Sequence, residues 1–224
     1  MSKQQRASLL VSGGINSKLN HKRYSNDLER WCLALQARRF DCAVCYADGS
    51  GLGISGARIR SGERSDIEDE LSLLCGLSED DLAIVLVSNH GNAKGFCTWG
   101  QDCVSPDDLA QSLDRCPATK IIILGQCNSG IFSSMKLAKT IVITACGPAE
   151  LSWACAHPPG PKAYDEFLFR LSESLVPATP TTSPAAAKAP LSLHSAFEMA
   201  AAEDRRPETP TITDADDLSK SLFL

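Results

Sequence analysis

Three nearly continuous apolar runs of strand length constrain this chain most: DLAIVLVSNHG (Asp81–Gly91), KIIILGQC (Lys120–Cys127) and KTIVITAC (Lys139–Cys146). A strand that is apolar at every position has both faces covered, which is the condition inside a parallel sheet flanked by helices. Two further β-rich runs precede them, ASLLVSG (Ala7–Gly13) and FDCAVCYAD (Phe40–Asp48). Between the runs lie helical patterns. Leu28, Trp31, Cys32 and Leu35 fall on one face of Asn26–Arg39. Ile67, Leu71 and Leu74 follow a cap at Ser65 or Asp66, and Pro106 opens a helix behind Ser105. Strands alternating with helices at this spacing predict an α/β fold with a mostly parallel central sheet.

The composition narrows the function. With 22 Lys+Arg against 27 Asp+Glu, the formal net charge is −5, without the basic stripe of a nucleic-acid binder. Hydrophobic residues make up 43%, too many for a disordered chain. No run approaches the ~20 apolar residues of a membrane span, and the start has too short an apolar core for a secretory signal. A cytoplasmic location is expected, with no nucleic-acid or membrane partner. The ten cysteines mostly sit in apolar runs and read as buried thiols rather than a disulfide framework. Cys42 and Cys45 form a C-x-x-C, but no second ligand pair completes a zinc site, so no metal is expected.

The domain reading has three parts. Residues 1–175 form the core, and 176–190 (VPATPTTSPAAAKAP) read as an exposed Pro/Ala/Thr loop. Residues 191–224 read as a helix and polar tail that pack back on the same domain. Gly49–Arg64, rich in Gly and Ser, reads as a long loop or small flap.

In open parallel sheets ligands bind beyond the carboxyl ends of the strands. Two of the apolar runs end there in reactive residues. One delivers His90-Gly91, and the other delivers Cys127 followed by Asn128-Ser129-Gly130. A thiol nucleophile needs a base within reach and backbone N–H groups for the oxyanion. His90 supplies the base, and the N–H groups of Gly91 and Cys127 the oxyanion hole. A phosphate loop at Ser12-Gly13-Gly14-Ile15-Asn16 is the rival site, but it matches neither glycine-rich fingerprint.

LVSNHGN followed by IIILGQCNSG resembles the caspase–legumain superfamily of cysteine peptidases, nearest to bacterial legumain-like members. Gln126-Cys127 lacks the alanine of the caspase motif. The likeness continues in IVITACGPAELSWAC, AYDEFLFRL and LSLHSAFEMAAAEDRRPETP. The resemblance implies a caspase-like three-layer αβα sandwich and a cysteine endopeptidase acting on protein or peptide substrates through Cys127 and His90, without a cofactor. It also implies that Asn20 orients His90, that Arg23, Ser152 and Trp153 line a specificity pocket, and that Asp165 sits at its base. An Arg and an Asp facing one pocket suit a side chain such as asparagine, whereas an unpaired Asp selects Lys or Arg; the sequence leaves both open. A latent enzyme, released by processing at Gly49–Arg64 or 176–190 or by an activating or regulatory partner, is expected. The alternatives are an inert interaction module and a ligase or transamidase using the same dyad.

Overall fold

The computed structural model describes residues 4–157, 162–175 and 191–224. A seven-stranded sheet runs in the order β12-β9-β8-β4-β1-β2-β3. It is built from β1 (Arg6–Ser12), β2 (Asp41–Tyr46), β3 (Arg58–Arg60), β4 (Leu82–Ser88), β8 (Thr119–Leu124), β9 (Thr140–Thr144) and β12 (Thr211–Asp214). Six strands are parallel, and β12 closes the edge antiparallel to β9.

Side chains alternate between the two faces, and each face has its own helical cover. Leu10, Ile84, Leu86, Ile121 and Ile123 pack under α1 (Lys22–Gln36), α4 (Glu166–Leu175) and α5 (Leu193–Glu203). Leu9, Val11, Val85, Val87, Ile122 and Leu124 pack under α2 (Arg64–Leu74) and α3 (Pro106–Leu113). The result is an α/β caspase-like sandwich of three layers. Trp31, Leu28 and Leu35 of α1 are buried, each side chain contributing about 1.5–3 kcal/mol of apolar transfer.

Several local expectations shift. Helix α1 begins at Lys22, four residues before the stretch whose pattern predicts it, because Tyr24 and Ser25 are buried as well. Neither Ser65 nor Asp66 caps α2. The N-cap is Glu63, and the Asp66 carboxylate instead accepts from the Ser61 N–H and hydroxyl and pairs with Arg60. Gly49–Arg64 is not wholly loop, since its end pairs as β3 against β2, with Arg58 tied to Glu70 at 2.6 Å. The polar tail hides β12. The Cys42 and Cys45 thiols project into opposite layers, so they do not form half of one site. The stretch 176–190 lies outside the described residues.

Helix α3 starts as its sequence predicts. Ser105 Oγ accepts from the Asp108 N–H at 3.1 Å, and the Asp108 carboxylate accepts from the Ser105 N–H at 3.0 Å. Ser105→Ala is expected to cost about 1 kcal/mol in urea denaturation.

From β1 the chain first fills β2 and β3 on one side, then crosses to β4 on the other. Where connections diverge this way, the strands' carboxyl ends border a crevice. There Gly13, at φ +110°, brings its turn against Ala47, so that a Cβ on it would lie 2.2 Å from the Ala47 nitrogen.

Candidate active site

His90 and Cys127 leave adjacent parallel strands at matched heights. Val87 pairs with Leu124, and each reactive residue follows three positions later. Gly91 sits directly on the Gln126–Cys127 backbone. A Cβ built on it would lie 2.2 Å from the Cys127 carbonyl oxygen and 2.4 Å from Gln126 Cγ. Gly91→Ala is therefore expected to force these two turns apart and cost about 1–3 kcal/mol in chemical denaturation.

After His90 the chain forms a small antiparallel flap of β5 (Gly91–Asn92), β6 (Gly95–Cys97) and β7 (Cys103–Val104). The Cys97 N–H donates to the His90 carbonyl at 2.8 Å, which makes Gly91 and Phe96 a non-hydrogen-bonded pair. The Gly91 N–H consequently points away from β6. Asn89 anchors the junction: its Nδ2 donates to the Cys97 carbonyl at 2.9 Å and its Oδ1 accepts the His90 N–H at 2.8 Å.

The His90 ring is held from the β1–α1 turn. Its Nε2 lies 3.1 Å from the Leu19 carbonyl, and the rings of Tyr24 and His21 lie edge-on at 5.4 Å. Asn20 does not meet the imidazole. The turn after Gly14 aims the Leu19 carbonyl at His90 and leaves the Asn20 Oδ1 to accept from the Tyr46 hydroxyl at 3.1 Å. Burial lowers the His90 pKa, against the pull of the Leu19 carbonyl and with help from His21 and Arg23.

Cys127 is partly exposed, and its sulfur accepts from the Ser152 N–H at 3.4 Å. Asn128 follows in the left-handed region at φ 58°, turning the chain into a 3-10 helix, Ser129–Ser134. Buried Ser129 fastens that turn by accepting from the Cys146 N–H at 3.1 Å.

Ser152 also connects the thiol to a buried charge cluster. Its hydroxyl donates to Asp165 Oδ2 at 2.5 Å, and Arg23 Nη1 lies 3.4 Å from the same oxygen. Asp27, one helical turn after Arg23, stands 3.9 Å from the guanidinium. Asp27 accepts from the Ser88 hydroxyl at 2.6 Å and from the Asp165 N–H at 3.1 Å. Asp165 Oδ1 caps α4 through the Leu168 N–H at 3.0 Å. Trp153 is 40% exposed, with its N–H donated to Glu208 at 3.1 Å.

Two buried carboxyls therefore share one guanidinium. Burial raises Asp27 above the carboxylate range, and the neighbouring Asp165 raises it further. Burial also raises Asp165, opposed by Arg23 and the Ser152 hydroxyl. Burial disfavours the Arg23 charge, but Asp165, Tyr24 and Asp27 outweigh it and hold the pKa above its usual value.

Sequence reasoning missed Asp27, Tyr24 and the Leu19 carbonyl. The i,i+4 spacing of Arg23 and Asp27 was the available signal, but the resemblance singles out Arg23 alone, and Asp27 sits in a polar stretch. A backbone carbonyl leaves no trace in side-chain identity.

Among the described residues no helix is long and apolar enough to cross a membrane. No curated protein matches the chain. The model of the peptidase C13 family matches residues 57–203, a span that includes His90, Cys127, Ser152 and Asp165. That span exceeds half of the chain, and it carries the histidine and cysteine turns on a caspase-like sheet; the chain belongs to the peptidase C13 family, the legumain family of cysteine peptidases.

Proposed function

We propose that the protein is an endopeptidase in which Cys127 is the nucleophile and His90 manages the protons. The observation that carries this reading is the meeting of His-Gly and Cys turns at the ends of β4 and β8, with Gly91 seated on the Cys127 backbone. Cys127 Sγ attacks the scissile carbonyl, and an acyl-enzyme forms as the amine departs with a proton from His90. The N–H groups of Gly91 and Cys127 receive the oxyanion, where a lost donor costs about 3–4 kcal/mol. Water then releases the acyl group. No metal or organic cofactor takes part.

Arg23, Ser152, Trp153 and Asp165 form the specificity pocket in this reading. Asp165 is already paired with Arg23, which favours a polar, uncharged side chain such as asparagine over Lys or Arg before the cleaved bond. Ten free cysteines suit a reducing compartment such as the cytoplasm. The enzyme is latent until the proline-rich stretch 176–190 is cut or a regulatory protein binds.

A peptide library incubated with the protein tests these points together. New termini should appear after polar uncharged residues, should be blocked by thiol alkylation, and should lag until the chain itself is cut. Immediate full activity of uncut protein would overturn latency. An intact library beside folded, processed protein would favour an interaction module.

A further inference from the structure

The flap behind His90 carries two thiols that the peptidase reading does not use. Cys97 on β6 lies directly opposite Cys103 on β7. The Thr98 N–H donates to the Asp102 carbonyl at 2.9 Å, so the adjacent pair, Cys97 and Cys103, is of the non-hydrogen-bonded kind. In such pairs the Cα atoms stand about 4.5 Å apart and the Cβ atoms about 4.5–5.5 Å. A disulfide needs Cα separations of roughly 4.4–6.8 Å and Cβ separations of roughly 3.5–4.5 Å. Closure therefore asks for a Cβ approach of about 1 Å. Both thiols are free.

Cys97 is also joined to the active-site turn. Its N–H donates to the His90 carbonyl and its own carbonyl accepts from Asn89. His90, Cys97 and Cys103 thus occupy one cross-strand row. Burial raises the Cys97 thiol pKa, opposed by the Asn92 amide, whose Nδ2 donates to Cys97 Sγ at 3.7 Å.

We propose that Cys97 and Cys103 are an oxidation site, a dithiol that a peroxide converts into a cross-strand disulfide, tightening the flap behind His90. Cys103 is partly exposed and Cys97 is buried, so the peroxide meets Cys103 first. The Cys103 thiol gives up its proton and its sulfur attacks a peroxide oxygen; the O–O bond breaks, the departing hydroxide takes that proton and leaves as water, and a sulfenic acid forms. The Cys97 sulfur then attacks the Cys103 sulfur, the S–S bond forms, the S–O bond breaks, and the departing hydroxide takes the Cys97 thiol proton and leaves as a second water. Two thiols are oxidised and one peroxide is reduced, and a thiol reductant reverses the change. Drawing Cys97 toward Cys103 strains its bonds to His90 and Asn89, so cleavage falls in the oxidised form. This last consequence alone rests on the proposed Cys127–His90 chemistry.

The test uses the full chain carrying Cys127→Ala, so that the cleft thiol cannot react. The protein is treated with hydrogen peroxide, alkylated and digested with trypsin. No Lys or Arg lies between Gly95 and Asp114, so both cysteines fall on the peptide 95–115. That peptide should emerge unalkylated and two hydrogens lighter than the dithiol. Reductant should restore it, and Cys103→Ser should abolish the change. A doubly alkylated peptide, a Cys103 sulfinic acid without a disulfide, or Cys97 linked elsewhere would overturn the proposal. In chains that keep Cys127, peroxide should lower cleavage several-fold more in the unsubstituted protein than in Cys103→Ser. Equal losses would sever the disulfide from activity. If no chain cleaves peptide, the endopeptidase reading fails, and the peptide mass still decides the oxidation site.

Discussion

Cys127→Ala is expected to leave a folded protein whose cleavage rate drops by at least about 10³-fold, because in the proposed mechanism it removes the nucleophile of a coupled dyad and with it nearly all of the acceleration. The side chain is partly exposed, and among the described residues its sulfur takes part in hydrogen bonds only with Ser152, so little packing is lost. Denaturant midpoints should therefore stay close to the unsubstituted value while product formation vanishes. His90→Ala should cost a similar factor, and the double variant little more, since in the proposed mechanism the two residues act as a unit. Full activity in Cys127→Ala would refute the nucleophile assignment.

Arg23→Met should produce the largest loss of stability, about 3–5 kcal/mol near pH 8, by stranding Asp27 and Asp165 without their shared cation. Met keeps most of the aliphatic packing, so the loss reports charge. The penalty should shrink toward pH 5, because the two carboxyls can then take up protons. Asp27 gives the sign independently. Its folded pKa lies above the unfolded value, so the folded state holds a proton that the unfolded state has released. That contribution is fully present below about pH 4 and is lost as pH rises through the folded pKa. Asp27→Asn should flatten this part of the pH–stability curve relative to the unsubstituted chain. An unchanged slope in urea titrations would place the proton elsewhere.

The parallel sheet was readable because burial on both faces writes itself as apolar runs: β4 and β9 lie within the runs that predict them, and β8 starts one residue before its run. Their endings exposed His90 and Cys127, since a strand's carboxyl end can be placed from sequence. The capping box of α3 was equally legible, because Ser105, Pro106 and Asp108 act within one turn. What stayed hidden depends on distant partners. Strand β12 carries one isoleucine among polar residues and becomes a strand only by pairing with β9. Strands β5 to β7 are two or three residues long, too short for alternation to register. The acid pair around Arg23 joins α1 to the end of β11 (Lys162–Asp165), a contact set by the fold rather than by local pattern. Asn20 misled for the same reason: its neighbour's carbonyl, rather than its own side chain, meets the histidine.

The most direct measurement is the intact mass of the protein after exposure to a peptidyl electrophile bearing asparagine before the warhead, followed by digestion to locate the adduct. One adduct per chain on Cys127, lost in His90→Ala under the same brief exposure while the other nine cysteines remain free, is the expected result. Labelling spread over several thiols, or a Cys127 that reacts equally well without His90, would contradict the pairing of the two groups.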